Sequence, residues 1–239
     1  IVSTLLFIYL GKQILLLGYE LGAVSISGIN KIIFRNISPI VTGYLIISMI
    51  IICTAMLAGS GALFYEYYGI NRQFGILITG FLAIVVILFG VKGILSTNSI
   101  IVPFLIAFNV LIFILTLLGP DISQKEIGFV TSTVGSIVRS GISYAAFNIV
   151  LSSGILAPIG REIDNPKILA AGGILGGAIL GGMLLTSNYC LRVHIPHIYN
   201  YEIPILFVIR YMDSNISKFY ALVLWASIFT TLIGNLFTI

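Results

Sequence analysis

Seven apolar runs, nearly free of charge inside and separated by more polar stretches, constrain this chain more than any other feature. They cover residues 1–17, 39–64, 74–94, 100–118, 128–163, 168–191 and 219–239. A helix needs about 20 apolar residues to cross the hydrocarbon core of a bilayer. Inside that core every backbone N–H and C=O must be satisfied by the protein itself, so such runs fold as helices. The expected fold class is therefore all-α: a polytopic helical membrane protein with about seven membrane segments in one transmembrane domain. Between the sixth and seventh runs lies a long connection, 192–218. Its apolar piece, 203–211, is too short to span, and Pro204 suits the first turn of a short helix.

Composition agrees. Hydrophobic residues make up 59% of the 239 residues and charged residues 8%, against about 25% charged in a soluble domain. Mean hydropathy is +1.14. The net charge of +4 is scattered, without a basic run or aromatic–basic interleaving, so nucleic acid is not an expected partner. With loops numbered alternately, one side receives Lys12, Lys31, Arg35, Lys92, Arg161 and Lys167. The other receives Arg72, Lys125, Arg139, Arg192, Arg210 and Lys218, so the positive-inside rule does not decide orientation. Cys53 and Cys190 stand alone in apolar contexts and read as free thiols. The chain begins at Ile1 inside one apolar run and stops at Ile239 inside another, which reads as a fragment.

The fifth run is the unusual one. Gly141–Tyr144 leads into Ala145, Ala146, Phe147 and Asn148, resumes as Ile149–Leu151, and is interrupted again by Ser152, Ser153, Gly154 and Pro158. It ends in a charged cluster, Arg161, Glu162, Asp164, Asn165, Pro166. Discontinuous membrane helices build substrate sites in many secondary transporters. The run is therefore expected to unwind at about Tyr144–Asn148, with freed backbone groups, Tyr144, Phe147 and Asn148 facing a solute. The plainer reading is a helix with one buried Asn bonded to a neighbour.

Other patterns carry weaker signals. Ser227, Thr230 and Thr231 share one helical face (i, i+3, i+4), and hard oxygens on one face suit Na⁺. Equally, such hydroxyls bond the carbonyl four residues back. The pairs Gly172-Gly173, Gly176-Gly177 and Gly181-Gly182 give small-xxx-small spacing for close helix packing. Asn109 is a second intramembrane amide. Arg139 is expected at the outer mouth. His194 and His197 permit metal binding by spacing but lack a third ligand nearby. No metalloprotease, nucleophile-elbow or paired intramembrane aspartate motif is present, so an enzyme is not expected, nor a cofactor beyond a coupling ion.

The stretch Ser143-Tyr144-Ala145-Ala146-Phe147-Asn148, followed by Gly160-Arg161-Glu162-Ile163-Asp164-Asn165-Pro166-Lys167, resembles the sixth helix of the amino acid–polyamine–organocation superfamily. More broadly, the chain resembles the uncharacterised YkvI-type membrane proteins of Gram-positive bacteria. Tyr9-Leu10-Gly11-Lys12, Met56-Leu57-Ala58-Gly59-Ser60-Gly61-Ala62 and Leu222-Val223-Leu224-Trp225-Ala226-Ser227 carry that likeness. The resemblance implies a LeuT-like fold of two inverted five-helix repeats, with the chain supplying helices two to eight. It implies that Tyr144–Asn148 face the substrate and that Gly59 and Ser60 flank the cavity. Ser227, Thr230 and Thr231 would help hold Na⁺, and 203–211 would match the extracellular gate loop. It also implies a bacterial cytoplasmic membrane. The function so implied is ion-coupled transport, by Na⁺ or H⁺, of a small organic solute such as an amino acid or amine. The alternatives are a ligand sensor on the same fold, as in spore-germination receptor subunits, and a membrane scaffold. The expected partners are the lipid bilayer and a small-molecule solute; protein partners are unknown.

Overall fold

A computed structural model describes residues 1–22, 26–118, 133–195, 197–212 and 214–239. The break after residue 118 and the expected start of the fifth run at Gly128 lie outside the described residues. Among those residues the chain is helical, with no strand. In order the helices are α1 (Val2–Leu21), α2 (Ile26–Phe34), α3 (Ser38–Tyr68), α4 (Arg72–Ile87), α5 (Gly90–Leu118), α6 (Val134–Glu162), α7 (Pro166–Val193), α8 (Pro204–Met212) and α9 (Ser214–Thr238). Short 3₁₀ turns cover Arg35–Ile37 and His197–Asn200.

Six stretches are long and apolar enough to cross a membrane: α1, 27–68 centred on α3, α5, α6, α7 and α9. The protein is thus a polytopic helical membrane protein, and a lipid bilayer is its surrounding.

The helix ends follow local chemistry. Asn165 accepts the Lys167 N–H at 3.0 Å and Pro166 opens α7. Asn71 caps α4 by accepting the Gln73 N–H at 2.9 Å. Pro204 opens the short α8, as its position predicts.

Two expectations are corrected. The run 74–94 is not one span. Gly90, at φ +62°, stops the chain after Ile87 and starts α5 early. At 16 residues α4 is about 24 Å long, short of a 30 Å core. The break expected near residues 95–99 is absorbed into α5, where Thr97 and Ser99 donate to the Gly93 and Leu95 carbonyls at 2.8 Å.

The second correction concerns the fifth run, which is unbroken helix from Val134 to Glu162. Its polar residues bond within the helix: Asn148 Nδ2 donates to the Tyr144 carbonyl (2.8 Å), Ser152 to that of Asn148 (2.7 Å), Ser153 to that of Val150 (2.5 Å). With those groups satisfied locally, unwinding gains nothing.

The helices pack as two bodies. In the first, α1 lies between α6 and α7. Gly173 and Gly177 of α7 press against α1 so closely that an added Cβ would stand 2.6 Å from the Lys12 Cα and from the Ile8 N. Gly181 continues that face against Thr4. On the other side Gly18 meets the Ala157 carbonyl, Gly160 meets that of Leu15, and Ser3 donates to the Gly141 carbonyl at 2.9 Å. The other glycines, Gly172, Gly176 and Gly182, have no such neighbour within 4 Å. Lys12, grouped above with loop charges, therefore lies inside α1.

The second body gathers α3, α4, α5 and α9 around Cys53, Ala83, Ile94, Phe229, Leu232 and Ile233. Both cysteines are buried and free.

The bodies meet along several seams, two of them with specific partners. Gly154 and Ile155 of α6 pack on Thr238 and Gly234 of α9. Asn109 of α5 donates to Ser187 of α7 at 2.7 Å and accepts from Thr186 at 2.6 Å. Interhelical bonds of this kind contribute roughly 0.6–1.7 kcal/mol. Asn109→Leu is therefore expected to lower unfolding free energy by about 1–2 kcal/mol, read by equilibrium unfolding in detergent. No loss would show that the knot is not a structural tie.

Candidate functional site

The short 163–165 connection makes α7 antiparallel to α6. Cys190 and Leu191 near the end of α7 pack with Ile216 and Tyr220 near the start of α9. Helix α9 thus returns antiparallel to α7 and runs in the same direction as α6. Their contact at Ile155–Gly234 fixes the register. Asn148 lies seven residues before Ile155, and Ser227 seven before Gly234. Both stand about 10 Å from that contact, at the same depth. Asn148 is also the central residue of α6. On α3, Gly59 faces Ile228, whose Cδ1 would be 3.8 Å from an added Cβ. The Tyr144–Asn148, Gly59 and Ser227–Thr231 patches therefore occupy one layer near mid-helix.

Within that layer the residues divide. Ala145 is fully buried against Phe7 of α1, so it belongs to packing. Ala146 is exposed. Tyr144, Phe147 and Asn148 share one face of α6 (i, i+3, i+4). Tyr144 is 45% and Phe147 55% exposed, and Tyr144 also sets its ring edge-on to Phe7 at 6.2 Å. Both Thr230 and Thr231 donate to the Ser227 carbonyl at 3.0 Å. This is the local bonding that the plainer reading describes, and it leaves their oxygen lone pairs available. No hydrogen bond joins the α6 patch to the α9 patch among the described residues.

Ser60 requires a correction. It is fully buried and turned toward α4, not toward an open face. Its hydroxyl donates to the Gly75 carbonyl at 3.1 Å and lies 2.5 Å from Thr79 Oγ1, which accepts the Trp225 indole N–H at 2.9 Å. One proton arrangement satisfies all four groups: Trp225 to Thr79, Thr79 to Ser60, Ser60 to Gly75. Three helices are tied by this chain, which sequence reasoning missed because its members are far apart in order. Thr79→Val leaves the Trp225 N–H without an acceptor and Ser60 Oγ without its donor, a loss of about 1–3 kcal/mol. Unfolding in detergent checks it, with solute binding expected to be unchanged.

At the end where α3 finishes, Arg72 pairs with Glu202 at 2.9 Å and lies 4.9 Å over the Tyr65 ring. The Glu202 carboxylate holds the Arg72 guanidinium even further up than usual. Tyr67 and Ser217 hydroxyls are 2.5 Å apart, and Leu206 of α8 is buried on Leu63 and Ala221. Helix α8 thus covers this end of α3 and α9. His194 is buried, with Nδ1 2.7 Å from the Cys190 carbonyl, while His197 sits beside Phe207. Arg139 is exposed in the first turns of α6.

The chain is similar to YkvI over nearly its whole length. It is 28% identical to that protein, the uncharacterized membrane protein YkvI of Bacillus subtilis (strain 168), over 238 residues, 99% of this chain and 68% of YkvI. It is 25% identical over 196 residues to the uncharacterized protein YyaD of the same strain, covering 80% of this chain and 56% of YyaD. The chain thus spans between half and about two thirds of these relatives. No family profile and no solved structure matches it. The similarity to YkvI and the apolar helices together describe an integral, multi-pass membrane protein.

Proposed function

We propose that this chain is the helical core of a secondary transporter for a small organic solute, an amino acid or related amine, working by alternating access. The observation that carries this reading is the layer at which the two bodies face each other. Tyr144, Phe147 and Asn148 belong to the α1–α6–α7 body. Gly59, Ser227, Thr230 and Thr231 belong to the other. A solute held between the two bodies couples its binding to their relative motion, the rocking by which such folds alternate access. Asn148 would hydrogen-bond the solute, and Tyr144 and Phe147 would wall it. Ser227, Thr230 and Thr231 would offer oxygens to Na⁺, with H⁺ as the other coupling ion.

The grouping of helices supports a LeuT-like arrangement in which α1 to α9 supply helices two to eight and α8 the gate loop. The bacterial cytoplasmic membrane is the proposed location. No covalent chemistry and no cofactor is assigned.

Solute-dependent stabilisation of the purified full protein tests the binding half of this proposal. An amino-acid and amine panel is screened by thermal unfolding in Na⁺ and in choline at two pH values. At least one solute is expected to raise the midpoint, and more so with the coupling ion. A flat panel under every condition would instead favour the scaffold reading, for which the glycine-sealed α1–α7 seam is the supporting observation.

A further inference from the structure

We propose that the face formed by α2 and Arg35 seats the headgroup of an anionic phospholipid, with Lys31 and Arg35 as its phosphate ligands. Helix α2 packs on α3 and on α6. Ile29 is buried with Ala157, and Asn30 Nδ2 donates to Thr42 Oγ1 at 3.2 Å. Ile32, Ile33 and Phe34 point away. Ile32, Ile33 and Ile37 are all more than half exposed, and Ile40, Tyr44, Ile47 and Ile51 continue from Ile37 down α3 at helical spacing, each more than 60% or close to it. In a bilayer that stripe lies in acyl chains. Its head, where Lys31 and Arg35 stand, then lies at the level of the phosphates.

Neither Lys31 nor Arg35 is in an ion pair among the described residues. No acidic residue occurs between Glu20 and Glu66. The only ion pair among the described residues is Arg72–Glu202, remote from α2. Arg35 is also the only non-glycine residue with positive φ among the described residues, at +43°. That conformation turns the chain from α2 into α3 with Arg35 exposed at the corner. An exposed apolar face with basic side chains at its polar edge is the pattern of an interfacial element that binds anionic lipid.

Lipid titration of the full protein in neutral detergent tests this, with binding read by native mass spectrometry and thermal unfolding. Phosphatidylglycerol is expected to bind roughly 30-fold more tightly than phosphatidylcholine, from two basic side chains at headgroup depth. Lys31→Gln with Arg35→Gln should abolish most of that preference. Lys31→Arg with Arg35→Lys, which keeps both charges, should retain it. Inorganic phosphate at matched concentration should give no stabilisation. The proposal is overturned by equal binding of the two lipids, by a full preference surviving in the Gln pair, by its loss in the charge-keeping pair, or by phosphate alone reproducing the effect.

Discussion

Gly177→Ala will destabilise the protein, and Gly176→Ala, one residue away, will not. At Gly177 an added Cβ stands 2.6 Å from the Ile8 N, which is backbone and cannot swing aside. The helices α1 and α7 must separate, with loss of the packing on both flanks of the seam. Overpacking of this kind costs about 1–3 kcal/mol for one methyl, and a larger side chain costs more. At Gly176 nothing lies within 4 Å, and alanine is the better helix former by up to about 1 kcal/mol. The same chemical change therefore has opposite expected signs at adjacent positions. Thermal unfolding in detergent reads both. Equal stability of the two variants would mean that α1 does not sit in the glycine face of α7.

Asn148→Ala is expected to weaken solute binding tenfold or more while leaving the fold intact. The side chain bonds only the Tyr144 carbonyl of its own helix, so its removal breaks no contact between helices. In the proposed site the same amide bonds the solute, and a buried polar partner left unmade costs about 1–3 kcal/mol. The informative quantity is the split between the two measurements. Thermal unfolding of the free protein should hardly move, whereas the solute-dependent shift should fall sharply. Thr231→Ala should show the same split for the ion, with weaker Na⁺ dependence. Solute affinity unchanged to within twofold in Asn148→Ala would remove that residue from the site.

The membrane character and most helix ends were legible because they depend on neighbours in sequence. Asn165-Pro166 and Pro204 start helices by local chemistry, and runs of apolar residues cannot do otherwise in lipid. The interruption at Tyr144–Asn148 misled because Asn and Ser in a membrane helix can break it or bond back to it. The choice depends on what lies alongside. Likewise the glycine pairs announce close packing, but which member of each pair is used depends on where α1 runs. The resemblance implied a cavity position for Ser60. Its partner Thr79, and Trp225 beyond Thr79, are 19 and 165 positions away, and only the fold brings them together. The shared depth of the α6, α3 and α9 patches is a property of helix register across the two bodies, so no local pattern carries it.

Uptake of a radiolabelled solute by the full protein in proteoliposomes tests whether it transports. The predicted result is accumulation of an amino acid or amine driven by an inward Na⁺ or H⁺ gradient, counterflow in preloaded vesicles, and loss of both in Asn148→Ala. A solute that binds and stabilises the protein but shows neither accumulation nor counterflow would contradict transport and make the chain a sensor.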